Sequence, residues 1–315
     1  TAGELSGDGG AKLPAAAVQI RVAAAASPTK GRVPAFRYDG LLDVIPPSIP
    51  VVRAAPPRDS YLRNGASDGV PIDRANLTPG AIAPIWLTIR VPKDAKPGKY
   101  AGEVTVSADG LPATAVPVRL TVVAWPAPDP KDFRVHNLGF NSPESLARHY
   151  NVPLWSDRHF ELIGKTLALA AEIGSRQVLV DMTIDFYGLG GNQESVVRWI
   201  PQADGGYKHD FAAFDKYLQV VADKVGKPLP LRLNCWGEDR PGWKSDSSGR
   251  KVSKLDPETG KVAPMDQPPL GSPESLAFWK PVLQEVRRKV EARGWVDVTV
   301  FGHNSYNAPP NPNIV

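Results

Sequence analysis

The period of the hydrophobic pattern changes once along this chain, at the proline-dense run Trp125-Pro-Ala-Pro-Asp-Pro. Upstream, apolar and polar residues alternate, as in Ile85-Trp-Leu-Thr-Ile-Arg-Val and Tyr100-Ala-Gly-Glu-Val-Thr-Val-Ser. Downstream, segments with apolar residues every three or four positions take turns with short β-branched runs. A period of two belongs to strands and a period near 3.6 to helices, so the two segments call for different layers. The reading is two domains, 1–126 and 131–315, joined by a stiff proline linker. The 315 residues are enough for two hydrophobic cores.

In the first domain, residues 18–22, 85–91, 100–107 and 115–123 are predicted strands. Pro/Gly turns separate them at Pro92-Lys-Asp-Ala-Lys-Pro-Gly-Lys and Ala108-Asp-Gly-Leu-Pro. Strands at such regular spacing predict a β-sandwich. The Gly- and Ala-rich residues 1–17 predict a loose start. Residues 28–84 are interrupted by Pro at short intervals, and Phe36-Arg-Tyr-Asp-Gly-Leu-Leu-Asp within them is read as loop packing.

The second domain reads as strands alternating with helices. Residues 134–140, 177–182, 229–236 and 298–301 are predicted strands. Helices are predicted to open at Ser142-Pro-Glu-Ser-Leu-Ala (a hexapeptide that recurs at 272), to run from Ser156 to a stop at Gly174, and to cover residues 211–225. The last helix has Ser272 as its cap, Pro273 at its first position and Gly294 as its stop. Leu276, Trp279, Leu283, Val286 and Val290 form its apolar face, and Trp199 and Trp279 are placed on helical faces in the core. A loop of roughly thirty-five residues after Trp236 is long enough to be functional. Alternating strands and helices imply a parallel sheet. The fold class is therefore multidomain β plus α/β, a β-sandwich followed by a (β/α)8 TIM-like barrel. Only about four strands appear by residue 302, where a closed barrel needs eight and ~250 residues. The barrel is expected to be incomplete in this chain, with its remainder supplied by a longer one. Working groups of such barrels stand at the carboxyl ends of the strands, which is where His303-Asn304 falls.

Composition removes several function classes. The net charge of +4 is small and dispersed, and no basic run is interleaved with aromatics, so nucleic acid is not an expected partner. No apolar stretch is long enough to span a bilayer. The single Cys235 allows no internal disulfide. The five His are scattered without metal-ligand spacing, and no phosphate loop or dinucleotide fingerprint occurs, so neither metal nor cofactor is expected. His149 and His159 are read as helix-surface or packing residues. Thr1 is not an initiator Met, as in a chain processed or trimmed at its start.

Residues 151–162, Asn-Val-Pro-Leu-Trp-Ser-Asp-Arg-His-Phe-Glu-Leu, resemble glycoside hydrolase family 123 and its relatives. The resemblance continues through Val197-Arg-Trp-Ile, Asp204-Gly-Gly-Tyr, Phe214-Asp-Lys-Tyr, Asn234-Cys and Gly294-Trp-Val-Asp. Upstream, Trp86-Leu-Thr-Ile-Arg-Val-Pro-Lys-Asp-Ala-Lys-Pro-Gly-Lys-Tyr is similar to the β-sandwich that precedes the family's catalytic barrel. The resemblance implies a secreted or periplasmic, exo-acting N-acetylgalactosaminidase, with N-acetylhexosamine-containing glycans as its substrates. In its mechanism the sugar's acetamido group attacks the anomeric carbon while an Asp orients it and the adjacent Glu protonates the leaving oxygen. At the family's position for that pair this sequence has His303-Asn304. An amide cannot donate a proton and recover it, whereas an imidazole can. His303 and Asn304 are therefore open to three readings: an altered catalytic pair, glycan contacts without catalysis, or hydrogen bonding in the cleft wall. Glu238 and Asp239, after the strand ending at Trp236, are the alternative acids. Asp181, Asp185 and Asn234 are candidate partners for sugar hydroxyls, and Tyr187, Trp236 and Trp243 candidate planes for the C–H faces of sugar rings.

Overall fold

A computed structural model describes residues 1–25, 38–46, 52–53, 81–82, 84–134, 143–184, 194–236, 251–269 and 272–303. The chain divides into two compact units, Thr1–Ala127 and Pro128–Val315.

The described part of the first unit is built of strands: β1 (Leu5–Gly7), β2 (Lys12–Leu13), β3 (Val18–Ala25), β4 (Tyr38–Leu42), β5 (Val52–Arg53), β6 (Ala81–Ile82), β7 (Ile85–Ile89), β8 (Gly98–Ala108) and β9 (Leu111–Val122). They pair in the orders β2-β1-β8-β9 and β4-β3-β7, with β5 beside β6. The β8–β9 hairpin turns at Asp109-Gly110, where Gly110 takes a φ of 75° that a side chain would resist. Buried Leu5, Leu13 and Tyr100 meet Val18 of β3, with Ile89 of β7 packed alongside, so the two larger sheets share one core.

Two expectations fail here. Residues 1–17 are not loose: Leu5 and Leu13 are only 1% and 2% exposed, and β1 pairs with β8. Two isolated leucines carry no readable period, but their burial outweighs the entropy of a Gly-rich start. Residues 38–42 are a strand beside β3 and not loop packing, because their backbone completes the free edge of β3.

β1 lies so close to β8 that a Cβ on Gly102 would stand 2.5 Å from Leu5 Cδ2 and 2.8 Å from the Glu4 carbonyl oxygen. Since a backbone oxygen cannot swing aside, Gly102→Ala is expected to lower the stability of this unit by about 1–3 kcal/mol, read as a reduced urea midpoint.

The second unit contains α1 (Pro143–Tyr150), α2 (Asp157–Glu172), β10 (Val178–Asp181), β11 (Arg198–Pro201), β12 (Tyr207–Asp210), α3 (Ala212–Lys224), β13 (Leu231–Trp236), β14 (Lys251–Leu255), β15 (Val262–Asp266), α4 (Pro273–Glu291) and β16 (Thr299–His303). β10, β13 and β16 form a parallel sheet in that order. A second, mixed sheet runs β12-β11-β14-β15. One core unites them: Phe160, Ile163 and Leu167 of α2, Phe214, Leu218 and Val221 of α3, and Trp279, Val282 and Val286 of α4 cover Val178, Val180, Leu231 and Leu233. The described residues thus supply a three-stranded parallel sheet and a parallel β11–β14 pair, and close no barrel. The predicted strand at 134–140 lies mostly outside them.

Three further corrections concern this unit. The predicted long loop contains the β14–β15 hairpin, whose turn is held by Asp256 Oδ1 accepting from the amides of Glu258 and Thr259 at 2.9 and 3.2 Å. Trp199 is core, as expected, but on strand β11 and not on a helix. Its indole stacks on Phe278 at 5.2 Å and meets Trp279 edge-on at 5.4 Å. On α4 the buried face runs Ser275, Trp279, Val282, Val286 and Val290, while Leu276 is 68% exposed. One residue is about 100° of helical rotation, which carries Leu276 off that face.

His159 is a structural histidine. Its Nδ1 accepts from the Trp155 backbone N–H at 3.0 Å, so Nε2 carries the proton and donates to the Pro143 carbonyl at 2.7 Å. The ring is fully buried, and burial holds its pKa below the ordinary value against the opposing pull of that carbonyl. A proton on Nδ1 would face the Trp155 N–H. The folded state therefore binds a proton less readily than the unfolded chain. Its contribution is complete above about pH 6.5 and is lost as pH falls below that, at no more than about 1.4 kcal/mol per pH unit. Urea titrations from pH 8 to 5 are expected to show this slope in the wild type and a shallower one in a uniformly weaker His159→Leu.

Candidate active site at the strand ends

In a parallel sheet of this kind all strands finish at one end, and register decides which residues meet there. Asp181, the last residue of β10, stands opposite Asn234 of β13, and Asn234 stands opposite Gly302 of β16. A bulge between Asn234 and Trp236 then sets Trp236 opposite His303. Four of the sequence candidates, Asp181, Asn234, Trp236 and His303, are thereby brought to one end. Asn304, Glu238, Asp239, Asp185, Tyr187 and Trp243 lie outside the described residues.

Alternation along the strands separates core from site. Val178 and Val180, like Leu231, Leu233 and Cys235, face the helices in the core. Asp181, Arg232 and Asn234 fall on the opposite face. Asn234 is 3% exposed, and its Nδ2 donates to Asp181 Oδ1 at 2.8 Å. Burial raises the Asp181 pKa above the usual carboxylate value, and the Asn234 hydrogen bond and the Arg232 charge only partly offset it. Asn234 Oδ1 is buried and has no hydrogen-bond partner among the described residues. A buried amide oxygen without a donor costs about 1–3 kcal/mol, which native structures tolerate mainly where something else supplies the donor.

Sequence reasoning missed three groups beside this pair. Tyr217, on α3, points its hydroxyl at the Leu179 carbonyl oxygen 3.4 Å away. Burial raises its pKa, and the negative charges of Glu144 and Asp181 raise it further, so both carboxylates lie near one phenol. Glu144, in the first turn of α1, is only 4% exposed. An acid at that position ordinarily answers the helix dipole at the surface, so nothing in the sequence marked it as buried. Glu194 pairs with Arg198 at 2.9 Å, two residues before Val196, whose N–H donates to the Asp181 carbonyl at 3.4 Å. Cys235 is inert by comparison, its thiol pushed up by burial in the core. No helix among the described residues is long and apolar enough to cross a membrane.

A carboxyl with a raised pKa and an amide offering a bare oxygen, both at the carboxyl end of a parallel sheet, form a small polar site on an α/β scaffold. The family follows from comparison. Residues 140–308 match the model of the glycoside hydrolase 123 catalytic domain, and residues 58–108 match that of the glycoside hydrolase 123 N-terminal domain. The first match covers more than half of the chain, and this chain belongs to glycoside hydrolase family 123. Among solved structures it is similar to a family 123 glycoside hydrolase from Clostridium perfringens, studied for the details of glycolipid glycan hydrolysis. The two share 17% identity with a TM-score of 0.62 over 96% of this chain and 48% of the other. At that identity the likeness carries the fold, and this chain spans about half the length of that structure. No curated protein matches the sequence.

Asp181→Asn keeps an oxygen for Asn234 Nδ2 and removes the buried charge. It is expected to gain about 1 kcal/mol over the wild type in urea denaturation at pH 8, an advantage that shrinks as pH falls and the native carboxyl, its pKa raised by burial, takes up its proton.

Proposed function

We propose that this chain is a glycoside hydrolase-like protein that binds glycans at the carboxyl ends of β10, β13 and β16, with N-acetylhexosamine-containing glycans as its ligands. The observation that carries the reading is the Asp181–Asn234 pair, with its unused buried amide oxygen, at the strand ends of a family 123 chain. Sugar hydroxyls and amides supply the donor that Asn234 Oδ1 lacks. Trp236 and His303 flank the pair in register, and Asp185, Tyr187 and Trp243 follow β10 and β13 in the sequence. In the same proposal the first unit is the family's β-sandwich and the second the opening part of a (β/α)8 barrel. The 48% coverage of the family 123 structure supports a longer whole. Export to the periplasm or beyond, as the family resemblance implies, belongs to this reading too.

Hydrolysis needs a proton donor at the leaving oxygen. On the family resemblance His303-Asn304 takes the Asp-Glu position, and that role falls to His303, to Glu238 or Asp239, or to Asp181, whose pKa burial raises. Loss of the paired carboxylates favours a second reading, a glycan-binding protein that no longer cleaves. Immobilised glycans and aryl N-acetylhexosaminides separate the two. Retention of N-acetylhexosamine glycans is expected, weakened about tenfold or more in Asn234→Leu. Release of the aryl group, diminished in Asp181→Asn or His303→Ala, marks an enzyme. A wild-type chain that neither retains nor cleaves any glycan refutes both.

A further inference from the structure

We propose that the outer face of the β4-β3-β7 sheet, in the first unit, is a separate glycan-binding surface: a flat platform for a neutral oligosaccharide, built on Trp86. It shares no residue with the strand-end site and does not depend on it.

Strand alternation gives this sheet two unlike faces. Val18 stands opposite Ile89 and both face the core, with Val22 buried on the same side. The residues between them turn the other way, Gln19 opposite Thr88 and Arg21 opposite Trp86. On that outer face Trp86 is 56% exposed.

One exposed aromatic ring needs no explanation by itself. Its company on this face does. Arg21 donates from Nη2 to Thr88 Oγ1 at 3.0 Å, which shows that the two side chains share the face and holds the guanidinium in place. The exposed Asp43 carboxylate, one residue past β4, stands 4.0 Å from Arg21 Nη1, too far for a hydrogen bond. Arg21 Nε has no acceptor among the described residues. A guanidinium carries five N–H donors, so Arg21 keeps donors to spare. Asp43, Arg21 and Trp86 thus form one row across three strands: an acceptor, a donor and an aromatic plane.

That row selects its ligand by chemistry. A pyranose of gluco or galacto configuration has a face of axial C–H groups and a rim of hydroxyls. The C–H face suits the indole, and the hydroxyls suit Arg21 as donor, Asp43 as acceptor and Gln19 as either. A protein partner suits the face less well. A specific interface buries about 800 Å² per side around an apolar centre, and here a single ring is flanked by polar side chains. An anion suits it less well too, because Asp43 offsets the charge of Arg21. The surface is also set in advance, since paired strands carry all but Asp43, so little binding energy goes into ordering it.

The test is calorimetric titration of the whole chain with linear hexasaccharides of glucose, galactose and N-acetylglucosamine, carried out in Asn234→Leu so that the strand-end site is silent. At least one hexasaccharide is expected to bind. Adding Trp86→Thr, which keeps a strand-forming residue, is expected to weaken it about tenfold or more, and adding Arg21→Gln about threefold or more. Trp86→Phe, which keeps an aromatic plane, is expected to retain most of the affinity. Asn234→Leu that binds no hexasaccharide, or binding that Trp86→Thr leaves unchanged, overturns the platform. Self-association of the chain that Trp86→Thr abolishes, read by sedimentation, overturns it as well, since the face then joins two copies. The strand-end reading is judged apart from these, by comparing Asn234→Leu with the wild type on N-acetylhexosamine glycans.

Discussion

Parallel backbone pairing between β10 and β13 places a carboxyl and an amide side by side, and most of what is distinctive in this molecule descends from that placement. The regular ladder fixes Asp181 opposite Asn234, and strand alternation turns both away from the helix-covered face. Once there, Asp181 is too dry to ionise readily, and Asn234 is left with half of its amide unused. Neither property belongs to the residues themselves. In water an aspartate ionises near its ordinary value and an asparagine is solvated on both sides. The sheet creates the polarity of the site by excluding solvent from one end of itself.

Trp155 holds a left-handed φ of 58°, His159 is buried, and Ser195 and Ser253 each donate a backbone N–H to the other's Oγ at 2.9 Å, features that fall at residues 155–159, 195 and 253. Around them, helices are laid on strands about one apolar core. A left-handed conformation at a residue other than glycine is a local strain that the rest of the fold sustains.

What the sequence made legible was the long-period structure. The caps at Ser156 and Ser272, the stops at Gly174 and Gly294, and the parallel strands between them are all readable because they repeat over many residues. Asn234 and Asp181 were named in advance because strand ends are where such folds keep polar residues. The misses have a common cause. Leu5 and Leu13 bury as single residues, with no period to announce them. Trp199 sits in a four-residue strand, too short to distinguish from a helical turn by pattern. The β14–β15 hairpin was hidden by Pro and Gly around it, although Lys251-Val-Ser-Lys-Leu alternates and Asp256-Pro-Glu-Thr-Gly reads as a turn. Glu144 is buried near Tyr217, distant in sequence, and no local rule reports that.

The bulge beyond Asn234 has its own consequence. β13 advances two residues there while β16 advances one, so the strands fall out of step immediately past the Asp181–Asn234 pair. Positions inward of the bulge keep an even ladder, and the described pair outward of it, Trp236 with His303, is offset by one residue. A change of residue at 303 therefore need not pull the inner pair out of alignment.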